Sequence, residues 1–151
     1  MGELMGKPIS SHVPCYCAVL RKAVRRVSVL YDAQLRNTGL KTTQFALLGE
    51  LGRHRSTPPT MNELAEYLVM DRSTLGHNVR PLLRQGLVAL KPDAIDGRTR
   101  RVTLTAKGAA KYANAKASWR KAQQEYEFLI GKTAAVSLRN ALEKLATSGA
   151  H

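Results

Sequence analysis

The sequence predicts a mainly α-helical chain with one small β hairpin, and three observations carry that prediction. Apolar residues recur at steps of three and four along most of its 151 residues. Only one short region, Leu87–Leu90 and then Arg101–Leu104, reads as paired strands, joined by a turn-rich loop containing Asp93, Asp96 and Gly97. Caps and breakers at Gly39, Gly52, Thr60, Gly86, Thr105 and Gly131 divide the remainder into separate helices.

In chain order, residues 1–11, with two glycines, a proline and serines, read as a mobile arm. Pro14 suits the first turn of a helix, where its missing N–H costs nothing. Cys17, Leu20, Val24, Val27 and Tyr31 then form one apolar face of a helix reaching about Asn37, with Arg21, Lys22, Arg25 and Arg26 on its other faces. Thr42 or Thr43 caps a second helix through Phe45, Leu48 and Leu51, ending near Gly52. After the connector His54–Pro59, Thr60 and Glu63 stand in capping-box spacing, and Leu64, Ala65 and Leu68 form the inner face of a short helix. A break at Met70-Asp71 leads to a helix from Arg72 to Gln85, capped by Asp71 and closed by Gly86.

Thr105 starts a long helix whose apolar positions are Tyr112, Ala115, Trp119, Ala122, Tyr126 and Leu129. Gly131 breaks it, and Thr133 is expected to cap a last helix carrying Ala135, Leu138, Leu142 and Leu145. The regular alternation of three and four fits packing against another helix, either within the chain or in a second copy. A homodimer is the favoured reading, because the terminal helices offer more apolar stripe than the small central unit covers. The expected organisation is one domain, 1–151: an arm at 1–11, dimerisation helices at 12–37 and 106–148, and a central lobe at 40–105.

Composition narrows the function. Twenty-four Lys and Arg against 11 Asp and Glu leave a net charge of +13. Such an excess repels itself without a polyanionic partner, which points to nucleic acid or an anionic membrane surface. No apolar run approaches the roughly 18 residues of a membrane span. The opening MGELMGKPISSHVP lacks the basic-then-apolar order of a signal peptide, and Gly6 stands where myristoylation asks for Ser or Thr. The expectation is a cytoplasmic protein with no membrane partner, its Cys15 and Cys17 reduced at rest. His12, His54, His77 and His151 have no metal-ligand spacing, and no nucleophile–base pair or phosphate loop is visible. Neither a cofactor, a metal nor an enzyme is expected.

Two helices joined by a tight turn and followed by a basic hairpin have the layout of a winged helix-turn-helix. The second helix of such a unit can enter a major groove, where base edges present distinguishable donors and acceptors. Turning Leu75, Val79, Leu82 and Leu83 inward leaves Arg72, Ser73, Thr74, His77, Asn78 and Arg80 outward, and Gly76 removes a side chain where the helix would approach DNA. Arg72 and Arg80 suit phosphates equally well, since most protein–DNA hydrogen bonds go to the backbone. Pro81, in the interior of this helix, predicts a kink there or a later start. In the hairpin, Arg98, Arg100 and Arg101 suit the negative potential of a narrow minor groove. Asp96, two residues before Arg98, is expected to hold its guanidinium by a charge-assisted bond.

The runs MDRSTLGHNVRPLLRQGLV and DGRTRRVTLTAKG, with the upstream Gly39, Leu40 and Gln44, resemble the MarR family of bacterial transcriptional regulators from about residue 15 onward. The resemblance implies a dimer with interlocked terminal helices, two recognition helices on a pseudo-palindromic double-stranded operator, and repression relieved by a small aromatic or phenolic effector. It implies base contacts from Ser73, Thr74, His77 and Asn78, a minor-groove contact from Arg98, and an effector cleft lined by Tyr16, Leu20, Ala23, Phe45, Leu48 and Tyr112. Two alternatives stay open. One is a redox-sensing regulator using Cys15 and Cys17, with Arg21 and Lys22 favouring the thiolate. The other is a non-specific architectural DNA binder.

Overall fold

The computed structural model describes residues 13–149; the arm expected at 1–11 lies outside the described residues. The elements in order are α1 (Tyr16–Leu35), a 3₁₀ turn (Arg36–Thr38), α2 (Thr42–Arg53), α3 (Met61–Tyr67), α4 (Arg72–Arg84), β1 (Val88–Pro92), β2 (Arg100–Leu104), α5 (Ala106–Ile130) and α6 (Lys132–Thr147). The fold is mainly α with a two-stranded antiparallel wing, as the sequence predicts.

Several boundaries shift, each for a local reason. Cys15 is the N-cap of α1, so Pro14 precedes the helix instead of lying in its first turn. Lys41 is the N-cap of α2, and Gln44 Oε1 accepts its N–H at 2.9 Å. Thr42 is thereby the first helical residue, and both its N–H and its hydroxyl bond Asp32 Oδ1 at 2.7 Å, tying α2 to α1. Gly131 itself caps α6, which leaves Thr133 inside the helix. The capping box of Thr60 and Glu63 forms in both directions, at 3.2 and 3.1 Å. β1 runs two residues further than expected, because Lys91 and Pro92 still pair with Arg101 and Arg100.

The core gathers where α2, α3, α4 and the wing base meet. Leu47, Leu48, Leu64, Leu75, Leu82 and Val102 are all fully buried there. Burying each such leucine contributes roughly 1.5–3 kcal/mol. The start of α5 closes on this core at Gly108, where an added Cβ would lie 1.9 Å from the Leu87 carbonyl oxygen. Only glycine permits that approach. Gly86, at φ +70°, supplies the left-handed residue that turns α4 into β1.

The apolar stripe of α5 is used mainly inside the chain. Ala115 and Ala122 are fully buried, and Tyr112 and Trp119 pack on Phe45 with ring centroids 4.6 and 5.9 Å away. The Tyr31 hydroxyl donates to Gln123, and Gln34 Nε2 donates to Glu125 at 2.9 Å. An intrachain helix pair demands the same alternation of three and four as a dimer seam. The last stripe position, Leu129, is left exposed, as are Tyr16 and Val24 on α1 and Phe128, Leu138 and Leu142 around the α5–α6 junction.

Among the described residues one is strained. Val69, in the turn between α3 and α4, has φ +51°, a conformation costing a β-branched residue about 1–2 kcal/mol. Its side chain is 71% exposed, so little packing offsets that cost. Val69→Gly should raise the thermal unfolding midpoint by a few degrees, roughly 0.5–1 kcal/mol after the entropy that glycine adds to the unfolded chain. A lower midpoint in a melt followed by circular dichroism would contradict the strain.

Candidate nucleic-acid interface

Helix α4 begins where Asp71, in extended backbone, accepts the Thr74 N–H at 2.9 Å and the Thr74 hydroxyl at 2.5 Å. These two bonds, the hydroxyl first, hold the Asp71 carboxyl below its ordinary range. Leu75, Val79 and Leu82 face inward and are buried, whereas Leu83 is only half-buried. Arg72, Ser73, Thr74, His77 and Arg80 are exposed. Thr74 gives its hydroxyl proton to the cap, which leaves an oxygen lone pair and a methyl group for an incoming base. Asn78 is half-buried and donates to the Thr74 carbonyl at 3.1 Å. The helix starts at Arg72, no later, and continues through Pro81 to Arg84. Buried Val79 and Leu82, on either side of the proline, anchor both halves to one core.

The wing is shaped by aspartates. Asp93 Oδ2 accepts the N–H groups of Ile95 and Asp96 at 3.3 and 3.1 Å, and the Asp93 N–H donates to the Thr99 carbonyl at 2.9 Å. Asp96 takes the Arg98 N–H at 3.1 Å and the Thr99 hydroxyl at 2.9 Å. The expectation that Asp96 holds the Arg98 guanidinium is therefore corrected: it orients the wing through the Arg98 amide and the Thr99 hydroxyl. Two residues downstream of an aspartate, the amide comes within reach before a long side chain does.

Arg101 is corrected too. Its Nε donates to Asp93 Oδ1 at 2.5 Å, its Nη1 donates to the Pro58 carbonyl at 2.6 Å, and Glu63 lies 3.8 Å away. Successive strand residues point to opposite faces, so Arg100 is exposed while Arg101 turns back onto the helix-turn-helix. The guanidinium, ahead of the backbone amides, holds the Asp93 carboxyl below its ordinary range.

Arg72, Arg98 and Arg100 come together in a groove of about 540 Å³ between the start of α3, the start of α4 and the wing. Thr60, Met61, Asn62, Leu90 and Thr99 complete its lining. Asn62 Oδ1 accepts from Arg72 Nη1 at 2.9 Å and sets that side chain's direction. Asn62 and Asp93 have no place in a sequence-based set, because nothing local pairs either with its arginine. Ile95, 97% exposed at the apex of the wing, escapes such a set as well. Its signal is an isoleucine inside a turn otherwise built from Asp, Ala and Gly.

Comparison with known proteins bears on this arrangement. A sequence profile of the MarR family matches residues 38–99. The transcriptional activatory protein BadR of Rhodopseudomonas palustris is 39% identical over 71 residues, covering 46% of this chain and 41% of BadR. The transcriptional repressor NicR of Pseudomonas putida is 35% identical over 92 residues, 61% of this chain and 57% of NicR. The aligned stretches thus span about half the length of these curated relatives. The M. tuberculosis regulator MosR, solved in complex with DNA, is 34% identical and superimposes with a TM-score of 0.70 over 87% of this chain and 98% of that one. The chain belongs to the MarR family. BadR and NicR are each named as transcriptional regulators, and MosR was solved on DNA.

In this MarR-family chain the six expected effector-lining residues fall in two places. Phe45 and Leu48 are core, and Tyr112, stacked on Phe45, opens onto a groove of about 330 Å³ with Gly49, Gly52, Arg53, Arg55 and Lys116. Tyr16, Leu20 and Ala23 stand exposed on the N-terminal half of α1 and do not line that groove. Cys15 and Cys17 are free and exposed. Among the described residues no cluster of His, Cys, Asp or Glu suits a metal, and no helix is long and apolar enough to cross a membrane.

Arg101→Ala should weaken operator binding about tenfold, the scale of a lost hydrogen bond to a charged group, although the residue does not face the groove. Arg101→Lys should not restore it, because a point charge cannot satisfy both acceptors. Since the folded-state pKa of Asp93 is lowered, its support of the wing is complete above the ordinary value of 3.8 and is lost as pH falls through the lower folded value. Gel shifts read the affinity, and amide exchange of wing residues during acid titration reads the support of the wing. Wing protection unchanged in Arg101→Ala would refute the role of Arg101 in holding the wing.

Proposed function

We propose that this regulator acts as a homodimer on a pseudo-palindromic operator, with Arg72, Ser73, Thr74, His77, Asn78 and Arg80 serving the major groove and its phosphates, and Arg98 the minor groove. Arg100 contacts phosphate beside it. The observation that carries this reading is the groove in which Arg72, Arg98 and Arg100 converge between recognition helix and wing. Phosphate contacts of this kind set register, while the exposed short side chains at the start of α4 carry sequence information. The unpartnered apolar residues of α1 and of the α5–α6 junction support the dimer. The output is repression, as NicR's name states for that protein, and no catalysis is involved.

Release comes from a small aromatic or phenolic ligand. The reading is supported by the Tyr112 groove, where an aromatic ring lies among Arg53, Arg55 and Lys116 and against Leu104 at the base of the wing. Lys116 Nζ already lies 5.2 Å from the centre of the Tyr112 ring.

Arg98→Ala should reduce operator affinity about tenfold and lower the salt slope by about one unit, with the dimer intact. Gel shifts at several salt concentrations, with light scattering for the dimer, check this. Wild-type affinity and slope in the variant would remove Arg98 from the interface.

One contact favours a second reading, control by thiol oxidation. Arg21 Nε donates to Cys17 Sγ at 3.4 Å, and the thiol is exposed near the start of α1. Mild peroxide should then lower operator binding in the native protein and leave Cys17→Ser unaffected. Unchanged binding of the native protein after peroxide would end this reading.

A further inference from the structure

The positive charge of this chain does not sit mainly on the unit that reads DNA. Between Thr60 and Thr105 there are seven Lys and Arg against five Asp and Glu, a net of +2. The remaining +11 lies outside that unit. Its densest part is the N-terminal half of α1, where Arg21, Lys22, Arg25 and Arg26 occupy two turns and the helix's sole acid, Asp32, lies further along. Lys22, Arg25 and Arg26, with Val29, line a shallow groove of about 380 Å³. All three cations are exposed, and none has a carboxylate within 4.0 Å among the described residues. Like charges three and four residues apart destabilise a helix, so the cluster costs the isolated fold something.

Its position separates it from the reading unit. Gly39 lies beside Lys111 and Tyr31 beside Gln123, so α1 runs antiparallel to α5 and its basic half points away from the wing. At 1.5 Å per residue the cluster lies roughly 35 Å from the wing base, measured along α5 and then α1. At 100° per residue, Lys22, Arg25 and Arg26 centre on the face opposite Tyr16, Leu20 and Val24. A second copy covering that apolar face leaves the basic face free.

We propose that the basic face of α1 is a second, sequence-independent DNA-binding surface, which lets the regulator hold another duplex segment while its recognition helices occupy an operator. Cations repeated at three- and four-residue steps on a straight helix match a regular row of phosphates, and neutralising them releases condensed counterions. A protein already held on DNA by its reading unit meets further duplex at high effective concentration.

The test uses the full chain bound to an immobilised operator duplex, with a labelled duplex of random sequence added at low salt. The native protein should capture the second duplex. The variant K22Q/R25Q/R26Q should capture about tenfold less, with operator affinity within about twofold of native, and the charge-preserving K22R/R25K/R26K should restore capture. Equal capture by the glutamine variant would overturn the proposal, as would parallel loss of operator binding. Conversion of that variant to monomer in light scattering would assign the face to the second copy instead. Binding of the native protein to anionic phosphatidylserine vesicles, without capture of duplex, would assign it to a membrane.

Discussion

The geometry of the reading unit depends on the guanidinium of Arg101. A two-stranded hairpin is marginal by itself in water, and this one has only five residues in each strand. Arg101 joins it to Asp93 within the wing and to the Pro58 carbonyl in the connector, while Glu63 of α3 adds its charge. The Val102 N–H reaches the Pro59 carbonyl at 2.8 Å beside this contact, so backbone and side chain lock the same seam. The wing thereby moves with α3 and α4, and the distance between Arg72 and Arg98 becomes a property of the fold.

The acids of the lobe have local duties. Asp71 caps the recognition helix, Asp93 and Asp96 shape the wing, and Glu63 closes a capping box. They lower the net charge of the lobe while placing its arginines, exchanging raw electrostatic attraction for direction. Sequence-independent attraction is then left to cations elsewhere, a division consistent with phosphate contacts positioning a protein and base contacts specifying its site.

The long helix α5 serves both ends of the molecule. Its first turns rest on the wing base through Gly108, its middle packs on Phe45 through Tyr112 and Trp119, and its last turns hold α1 through Gln123 and Glu125. Any rearrangement at the Tyr112 groove acts on a helix touching both the wing and the exposed apolar residues around the α5–α6 junction. Those residues begin where the intrachain stripe ends, near Leu129.

Local chemistry was legible in the residues themselves. The caps at Thr60, Asp71 and Thr105, the left-handed Gly86, the inward Leu75, Val79 and Leu82, and the antiparallel wing all follow from spacing and backbone preference, which act over a few residues. The boundaries at Pro14, Lys41 and Gly131 were not, because neighbouring residues compete for one cap and contacts such as Asp32 with Thr42 decide among them. Tertiary structure alone separated Arg101 from Arg100, turned Asp96 onto the backbone, brought Asn62 to Arg72 and spread the six aromatic-cleft residues over two places. Each of those outcomes depends on groups distant in sequence meeting at hydrogen-bond range, and neither periodicity nor composition encodes such distances.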